Sequence, residues 1–271
     1  MSGDLKIGIL GAAGRMGQMN IRQVAMTEGC VLAGATGRPG SDAIGQDAGL
    51  LAGAGTLNVA ITDDVSSVIA GVDVVVDFTL PDVAVEAAEL ASQAKSAIVA
   101  GTTGLSPEQE AVYHKAAQHV PVVRAANTSV GVTLLIALAE QAAKLLDVEY
   151  DIEVLEMHHR HKIDAPSGTA LALGEGLARG RGVNLTDVKQ AVRDGHTGVR
   201  RPGDIGFATL RGGDVTGEHE VIFASEGERI TLGHKSSSRQ VFAAGAIRAA
   251  LWSWRKSPGL YDMRNVLGFV D

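Results

Sequence analysis

The chain has 271 residues, 45% of them hydrophobic and 20% charged, which is typical of a folded globular protein and excludes global disorder. Its net charge of −7 argues against nucleic acid or an anionic membrane as the main partner, because both would require a basic face. The single cysteine, Cys30, excludes an intramolecular disulfide framework and a CxxC metal site. The longest apolar run, residues 130–139, is far short of the roughly 20 residues of a membrane span, so we expect a cytoplasmic protein with no membrane partner.

Short apolar runs alternate with helical patterns through the first half of the chain. Residues 5–10 predict a strand that ends in a glycine turn, and residues 18–26 predict the helix that follows. Further strands are predicted at residues 31–36, 72–79, 97–100 and 120–124, and further helices at 82–95 and 106–118. The last helix has a strong start signal, with Ser106 as N-cap, Pro107 next and Gln109 completing a capping box. This alternation predicts an α/β fold with a doubly wound, mostly parallel sheet of the Rossmann type.

The pattern changes after a long apolar helix predicted at residues 130–146. A strand and a helix are followed by three strand-like runs with glycine-rich turns between them. The strand is predicted at 151–157, the helix at 167–177, the three runs at 205–211, 220–224 and 228–232, and the turns at 211–214 and 225–228. Because strands joined by short turns are usually antiparallel, we expect an α+β domain with a mixed, largely antiparallel sheet. A closing helix at 239–254 is expected to pack back on the first domain.

Gly11, Gly14 and Gly17 lie between the first strand and the first helix. This spacing is a variant of the dinucleotide-binding fingerprint, in which glycines admit a pyrophosphate to the helix N-terminus. The alternative is a tight turn that binds no ligand. Gly37 and Arg38 stand where the dinucleotide fingerprint usually has an acidic residue that holds the ribose 2′-hydroxyl. An arginine there can pair with a 2′-phosphate, which favours NADPH over NADH. The alternative is that Arg38 is only a solvated charge of the loop.

Two further strand ends carry small or polar residues. They are Gly101-Thr102-Thr103 and Ala125-Ala126-Asn127-Thr128. In a doubly wound sheet the carboxyl ends of the strands line the ligand crevice, so these groups are expected to meet the nicotinamide and its ribose. Either segment could instead be a simple turn.

Titratable side chains are concentrated in the segment from residue 156 to residue 170. His158, His159 and His161 stand beside Lys162, although the whole chain has only eight histidines. Ser167, Gly168 and Thr169 follow at the start of a predicted helix, whose free N–H groups and positive dipole end suit a carboxylate. Proton donors and an anion cradle are therefore predicted within a dozen residues of each other.

A solvated strand edge and a zinc site are the alternatives for this segment. Zinc is disfavoured because strand alternation puts His158 and His159 on opposite faces and the Lys162 ammonium would repel a cation, so we predict no metal. An aldehyde or semialdehyde dehydrogenase would need a thiolate, but Cys30 precedes the second strand, on the wrong side of the sheet. A non-enzymatic nicotinamide sensor stays open, although it leaves the histidine cluster without a role.

Taken in order, these motifs resemble the bacterial 4-hydroxy-tetrahydrodipicolinate reductases, also called dihydrodipicolinate reductases, of lysine and diaminopimelate biosynthesis. The resemblance extends to four further segments, Gly206-Phe-Ala-Thr209, Gly217-Glu-His219, His234-Lys-Ser-Ser-Ser-Arg239 and Gly259-Leu-Tyr-Asp-Met263. It implies a dinucleotide-binding domain over residues 1–129, a substrate-binding and tetramerisation domain over 130–239, and a C-terminal helix over 240–271 that returns to the first domain. It also implies a homotetramer that reduces a cyclic unsaturated imine dicarboxylate with NADPH or NADH.

The resemblance assigns roles residue by residue. His158 corresponds to the proton donor and acceptor, Lys162 to a second acid and His159 to a substrate ligand, while Gly168 and Thr169 match the carboxylate cradle. Our own interpretation adds Ser167 to the substrate-binding set. The cofactor contacts are Gly11, Ala12, Ala13, Gly14, Arg15, Met16, Gly101, Thr102, Thr103, Ala125, Ala126, Asn127 and Thr128, to which the NADPH argument adds Arg38.

Two positions depart from the family pattern. Many relatives carry Glu where Gly37 stands and an aromatic residue where Thr128 stands. The first departure bears on the use of NADH, and the second on packing near the nicotinamide.

Overall fold

The computed structural model describes residues 3–269, and the chain divides into two compact units. Unit 1 contains the residues up to Val130 together with those from Gln240 onward, and unit 2 is Gly131–Arg239. Among the described residues, no helix is long and apolar enough to cross a membrane.

Unit 1 is built from alternating strands and helices. Its strands are β1 (Leu5–Ile9), β2 (Cys30–Thr36), β3 (Ile61–Thr62), β4 (Val74–Asp77), β5 (Ala97–Ala100), β6 (Pro121–Arg124) and β12 (Gly259–Tyr261). Its helices are α1 (Arg15–Met26), α2 (Ala48–Ala52), α3 (Val65–Ala70), α4 (Pro81–Ala94), α5 (Pro107–Ala116), α9 (Gln240–Ser253) and α10 (Met263–Leu267). The long helix α6 (Val130–Leu145) begins at the boundary with unit 2.

The seven strands form one sheet in the order β12-β6-β5-β4-β1-β2-β3, and every pairing between them is parallel. The strand order reverses direction between β1 and β4, which is the switch point of a doubly wound sheet. The predicted Rossmann-type sheet is therefore confirmed. All of its strands end at the same edge, where the glycine turn and the two polar strand ends lie.

Local sequence explains why these elements form. All four residues of β4 and of β5 are buried, as expected for parallel strands covered by helices on both faces. In α4 the buried residues are Ala84, Ala87, Ala88 and Ala91, a helical stripe of small side chains that lets the helix lie close to its neighbours. The predicted capping box of α5 is present, with Ser106 and Gln109 each bonded to the other's backbone N–H.

Unit 2 carries a five-stranded mixed sheet with two main helices. Its remaining elements are β7 (Asp151–His158), α7 (Gly168–Arg181), α8 (Leu185–Val188), β8 (Lys189–Gln190), β9 (Ile205–Arg211), β10 (Gly217–Ser225) and β11 (Glu228–Ser236). The strand order is β11-β10-β7-β9-β8, with β7 antiparallel to β10 and parallel to β9. The expected mixed sheet is confirmed, with parallel and antiparallel pairings in equal number.

The antiparallel pairing expected across the turn at residues 211–214 is wrong. β9 and β10 do not pair with each other, because β7 lies between them and bonds to both. The turn at 225–228 does form a hairpin, which joins β10 to β11. Both of these later strands are longer than predicted, since β10 begins at Gly217 and β11 reaches Ser236.

One face of the unit 2 sheet packs on helices, and the other carries polar and half-buried apolar side chains. Ile152, Val154, Val221 and Phe223 are fully buried in a core that they share with α6 and α7 residues. Strand alternation places Leu155 and Met157 on the opposite face. The catalytic candidates stand where β7 ends.

Candidate active site

The glycine turn after β1 is shaped by backbone contacts that leave no room for side chains. Gly11 has a φ of +69°, and its carbonyl accepts the N–H of Gly14 at 2.9 Å. A Cβ at Gly17 would lie 2.8 Å from the Cα of Ala12 and would overlap the carbonyl oxygen of Gly11. Gly14 is the N-cap of α1 and makes no side-chain cap, so the first N–H groups of the helix point out of its end toward any anion bound there.

A buried carboxylate ties two strand ends together beside this turn. Asp77, at the end of β4, is fully buried and accepts the hydroxyls of Thr79 and Thr102 at 2.5 and 2.7 Å. Burial is the largest influence on Asp77 and raises its pKa, although these hydrogen bonds oppose the shift. Gly101 donates its N–H to the carbonyl of Asp77, and the Thr79 methyl lies 3.1 Å from where a Cβ on Gly11 would stand. Asp77 therefore holds the Thr102 segment in place next to the glycine turn.

The other predicted cofactor residues differ in their exposure. Ala13, Arg15, Arg38, Thr103 and Ala126 are exposed, and Met16 and Asn127 are half-buried, whereas Ala12, Thr102, Ala125 and Thr128 are buried. The hydroxyl of Thr128 donates to the carbonyl of Phe242 at 2.7 Å, so this side chain is committed to packing within unit 1. The side chain of Asn127 accepts the N–H of Ser129 at the start of α6. Backbone groups, rather than these two side chains, are what this segment can offer a ligand.

His158 is the last residue of β7, and its ring is held by a buried acid. The Nδ1 atom lies 2.5 Å from Oε2 of Glu156, which is almost completely buried two residues earlier on the same face of the strand. With Nδ1 bonded to the carboxylate, Nε2 is the nitrogen left for chemistry. A Cβ on Gly217 would stand 3.1 Å from this Nε2 atom, so a glycine there keeps the ring from being crowded.

Glu156 binds several groups in addition to His158. Arg211 donates to both of its oxygens at 2.9 and 3.0 Å, and Ser167 N–H and Thr209 Oγ1 donate at 3.0 and 3.3 Å. Burial works against the charge of Glu156, but the hydrogen bonds from Arg211, His158 and Ser167 outweigh it and lower its pKa. The carboxylate therefore stays ionised beside His158.

His219 on β10 lies beside both His158 and Ser167. Its ring meets the ring of His158 edge-on with centroids 5.1 Å apart, and its Nε2 lies 3.1 Å from Ser167 Oγ. Burial, followed by the charge of His158, lowers the pKa of His219 to about 4. His219 is therefore neutral at physiological pH.

The loop after β7 carries the remaining cations. Lys162 Nζ donates to both oxygens of Asp164 at 2.8 Å, and this ion pair lowers the pKa of Asp164. Desolvation and then the charge of Arg239 lower the pKa of half-buried His159, with smaller contributions from His158, His161 and Lys162. Within the described residues the His159 Nδ1 atom has no hydrogen-bond partner. The structure thus gathers the predicted proton donors and substrate ligands at one end of the unit 2 sheet.

The helix start that follows is partly used by the protein itself. Ser167 is buried, its hydroxyl caps the N–H of Ala170, and its own N–H is bound to Glu156. Ser167 thus orients the helix and has neither group turned to solvent. Gly168 and Thr169 supply the first two N–H groups of α7, and Gly168 is exposed.

Metal and thiol chemistry find little support in the described residues. From residue 3 to residue 269, no three His, Cys, Asp or Glu side chains are placed to share a metal ion. Burial, reinforced by the charge of Asp4, raises the pKa of Cys30, which is the opposite of what a thiolate nucleophile needs.

Comparison with known proteins decides the family. The family model described as "Dihydrodipicolinate reductase, N-terminus" matches residues 5–128, and its C-terminal counterpart matches residues 131–267. The chain belongs to the dihydrodipicolinate reductase family. Relatives named 4-hydroxy-tetrahydrodipicolinate reductase include one from Allorhizobium ampelinum, 55% identical over 97% of this chain and 98% of its own length. Another is from Rhizobium meliloti, 53% identical over 98% of both chains.

One solved structure agrees with this family assignment. A dipicolinate-bound dihydrodipicolinate reductase from Paenisporosarcina sp. TG-14 is 25% identical, covers 96% of this chain and 97% of its own, and superposes with a TM-score of 0.76. An amine dehydrogenase from Mycobacterium smegmatis, 16% identical with a TM-score of 0.63 over 95% of this chain and 94% of its own, shares the fold alone.

Within this dihydrodipicolinate reductase chain, sequence reasoning missed three polar residues around the site. Asp77 had no signal beyond its position at a strand end, where polar residues line a ligand crevice. Arg211 and His219 lie on β9 and β10, opposite His158 and Glu156 respectively in the strand register. Glu156 lies two residues before His158 on the same face of β7, and its bond to the His158 ring emerges only from the structure.

Proposed function

We propose that this chain is a 4-hydroxy-tetrahydrodipicolinate reductase of lysine and diaminopimelate biosynthesis that uses a nicotinamide dinucleotide. Family membership along nearly the whole chain carries the assignment. The reaction adds one hydride and one proton to a conjugated cyclic imine dicarboxylate after loss of water. Supporting this chemistry, unit 2 offers a histidine on a buried carboxylate close to a helix N-terminus.

His158 is the proposed general acid. The bond from Nδ1 to Glu156 fixes the ring orientation, so Nε2 presents the proton to the carbon that becomes electron-rich after hydride addition. Histidine suits this step because its ordinary pKa lies near neutrality.

The two carboxylates of the substrate require cationic and N–H partners. Lys162 is the proposed partner for one of them and assists protonation, which requires that its ion pair with Asp164 open when substrate arrives. The first N–H groups of α7, from Gly168 and Thr169, form the proposed cradle for a carboxylate, and the half-buried ring of His159 is a further ligand. Ser167 contributes by holding this helix end in position.

The turn between β1 and α1 fits the pyrophosphate of the dinucleotide, because its three glycines carry no side chains and the helix end has no side-chain cap. When bound, the dinucleotide supplies the hydride. We further propose a preference for NADPH, since exposed Arg38 follows β2 where an acid would otherwise hold the ribose. A side chain at Gly37 would begin 3.0 Å from Ile61 Cγ2, so an acid is poorly accommodated there.

A direct assay tests the reductase assignment. Purified protein should oxidise NADPH in the presence of the condensation product of pyruvate and aspartate semialdehyde. His158→Gln is expected to lower kcat by roughly 100-fold or more, the usual size of a general-acid contribution, and Lys162→Met to raise KM and lower kcat. His196→Gln, a change at an exposed histidine of unit 2, is the matched control. A wild-type protein without activity would refute the function, whereas normal kcat in the His158 variant would refute only its role.

Arg38→Ala tests the cofactor preference separately. The loss of one charged hydrogen-bonding partner, about 1.5–3 kcal/mol, should raise the KM for NADPH by roughly 10- to 100-fold and leave that for NADH nearly unchanged. Equal effects on both cofactors, or a higher kcat/KM for NADH in the wild type, would contradict the preference.

We also propose assembly into a homotetramer through the helix-free face of the unit 2 sheet. Leu210 is 49% exposed there and is paired with Met157, and Leu155 and Ile222 are half-buried on the same face. Apolar side chains on a sheet face without helices favour a second protein surface. Light scattering should give a tetramer for the wild type and smaller species for Leu210→Glu.

A further inference from the structure

Arg211 connects the two groups that are proposed to handle protons. Its Nη1 and Nη2 atoms bind the two oxygens of Glu156, and Nη2 also donates to the carbonyl of Asp164 at 2.6 Å. Glu156 in turn holds His158, and Asp164 is the ion-pair partner of Lys162. One guanidinium therefore reaches both the buried carboxylate under His158 and the loop that carries Lys162.

The surroundings of this guanidinium make it a fixed part of the site. The side chain of Arg211 is only 20% exposed, and Nη1 has a second acceptor in the carbonyl of Leu210 at 2.7 Å. A planar fork with five donors can satisfy a carboxylate and two carbonyls at once, whereas a lysine ammonium cannot reproduce that geometry.

We propose that Arg211 is a positioning residue for the reductase reaction, which sets how strongly Glu156 binds the His158 proton and holds the Lys162 loop in place. The inference rests on the proposed roles of His158 and Lys162. It assigns Arg211 no contact with substrate, so its effects are exerted through Glu156 and Asp164.

The charge balance explains why such a residue is needed. A lone buried carboxylate 2.5 Å from Nδ1 would stabilise the imidazolium strongly and make His158 a poor acid. Arg211 donates to both oxygens of Glu156 and so offsets part of its negative charge. The carboxylate can then fix the His158 ring without holding the His158 proton too tightly for transfer. The charged and titratable groups that face His158 and its immediate neighbours are Glu156 on β7, Arg211 on β9, His219 on β10, His234 on β11, Arg239 just before α9, and His159, His161, Lys162 and Asp164 on the loop.

Two substitutions should move the His158 pKa in opposite directions. Arg211→Met leaves Glu156 without its cation and is expected to make His158 hold its proton more tightly, while Glu156→Gln removes the carboxylate and is expected to have the opposite effect. Imidazole NMR measures both shifts without substrate or cofactor. The acid-dependent limb of kcat/KM should move in the same directions in the active enzyme.

Arg211→Lys separates the two parts of the proposal. It restores a positive charge, so the NMR titration of His158 should resemble that of the wild type. A lysine cannot also hold the Asp164 carbonyl, so KM should be raised in Arg211→Lys as in Arg211→Met. Arg248→Met, at an exposed arginine of α9 in unit 1, is the control that changes neither quantity.

The outcomes are separable. The inference would be overturned if the His158 pKa moved in the same direction in Arg211→Met and Glu156→Gln, or moved in neither of them. A normal KM in Arg211→Lys would also overturn it. If Arg211→Met does not fold, Glu156→Gln and Arg211→Lys still test the inference, through the His158 titration and through KM. A wild-type protein without reductase activity would instead defeat the proposed function, while the NMR shifts would still report whether Arg211 tunes His158.

Discussion

Replacing Gly17 with alanine should damage the proposed nucleotide site through the backbone alone. The added Cβ would stand 2.8 Å from Ala12 Cα, so α1 must retreat by roughly 0.7 Å to reach an ordinary carbon–carbon separation of about 3.5 Å, and further to clear the Gly11 carbonyl. Neither atom is the end of a flexible side chain that could move aside. Overpacking of this kind costs about 1–3 kcal/mol, and we expect the upper part of that range.

The same displacement moves the N–H groups of Arg15 and Met16 away from a bound pyrophosphate. Loss of one charge-assisted hydrogen bond, about 1.5–3 kcal/mol, weakens dinucleotide binding by roughly 10- to 100-fold. Calorimetric titration and thermal unfolding measure the two effects. Gly71→Ala is the matched control, because a Cβ there finds its nearest neighbour at 3.5 Å. Unchanged affinity and melting temperature in Gly17→Ala, compared with this control, would refute the reasoning.

Two pH-dependent effects on stability follow from buried or bonded ionisable groups. Hydrogen bonds from backbone N–H groups, chiefly that of Leu50 with those of Leu57 and Val59, lower the pKa of Asp47. Its stabilisation is therefore complete above about pH 4 and lost as the pH falls through the lower folded value. Urea midpoints of wild type and Asp47→Ala should differ at pH 7 and approach each other as the pH falls below about 4. For His219 the folded pKa of about 4 lies below the unfolded value near 6.5. Between these two pH values the unfolded chain binds the proton and the folded protein does not, so lowering the pH favours unfolding. The free energy of unfolding of the wild type should therefore fall by up to about 3 kcal/mol from pH 6.5 to 4. His219→Gln should show a flatter profile in the same urea titrations, and parallel curves for the two proteins would contradict this account.

The sequence patterns predicted the parallel sheet well because its strands are buried on both faces. Buried and mostly apolar runs such as Val74–Asp77 and Ala97–Ala100, each followed by a helical pattern, are typical of parallel strands covered by helices. β3, β8 and β12 were not predicted, since two or three residues carry no measurable periodicity. The pairing error at residues 211–214 has a different cause, because a short turn does not exclude a third strand from lying between its two neighbours.

The candidate site was predictable only where its residues are neighbours in sequence. His158, Lys162 and the start of α7 were found because titratable and small residues are concentrated in one segment. Arg211 comes from 55 residues beyond Glu156, and it reaches the site because β9 places it opposite His158. A single sequence does not specify strand register, so the groups that support His158 emerge only from the fold.

Unit 1 is interrupted, since residues 131–239, which include nearly all of α6, are inserted between Val130 and α9. A ribosome must therefore complete the entire insertion before α9 can cover the sheet or β12 can pair beside β6. At about 5–20 residues per second, the interval between residue 130 and residue 261 is roughly 7–26 s. During that time the apolar surface that α9 will bury on the nascent sheet stays open to solvent and to chaperones, whereas unit 2 is continuous and can fold as soon as it emerges.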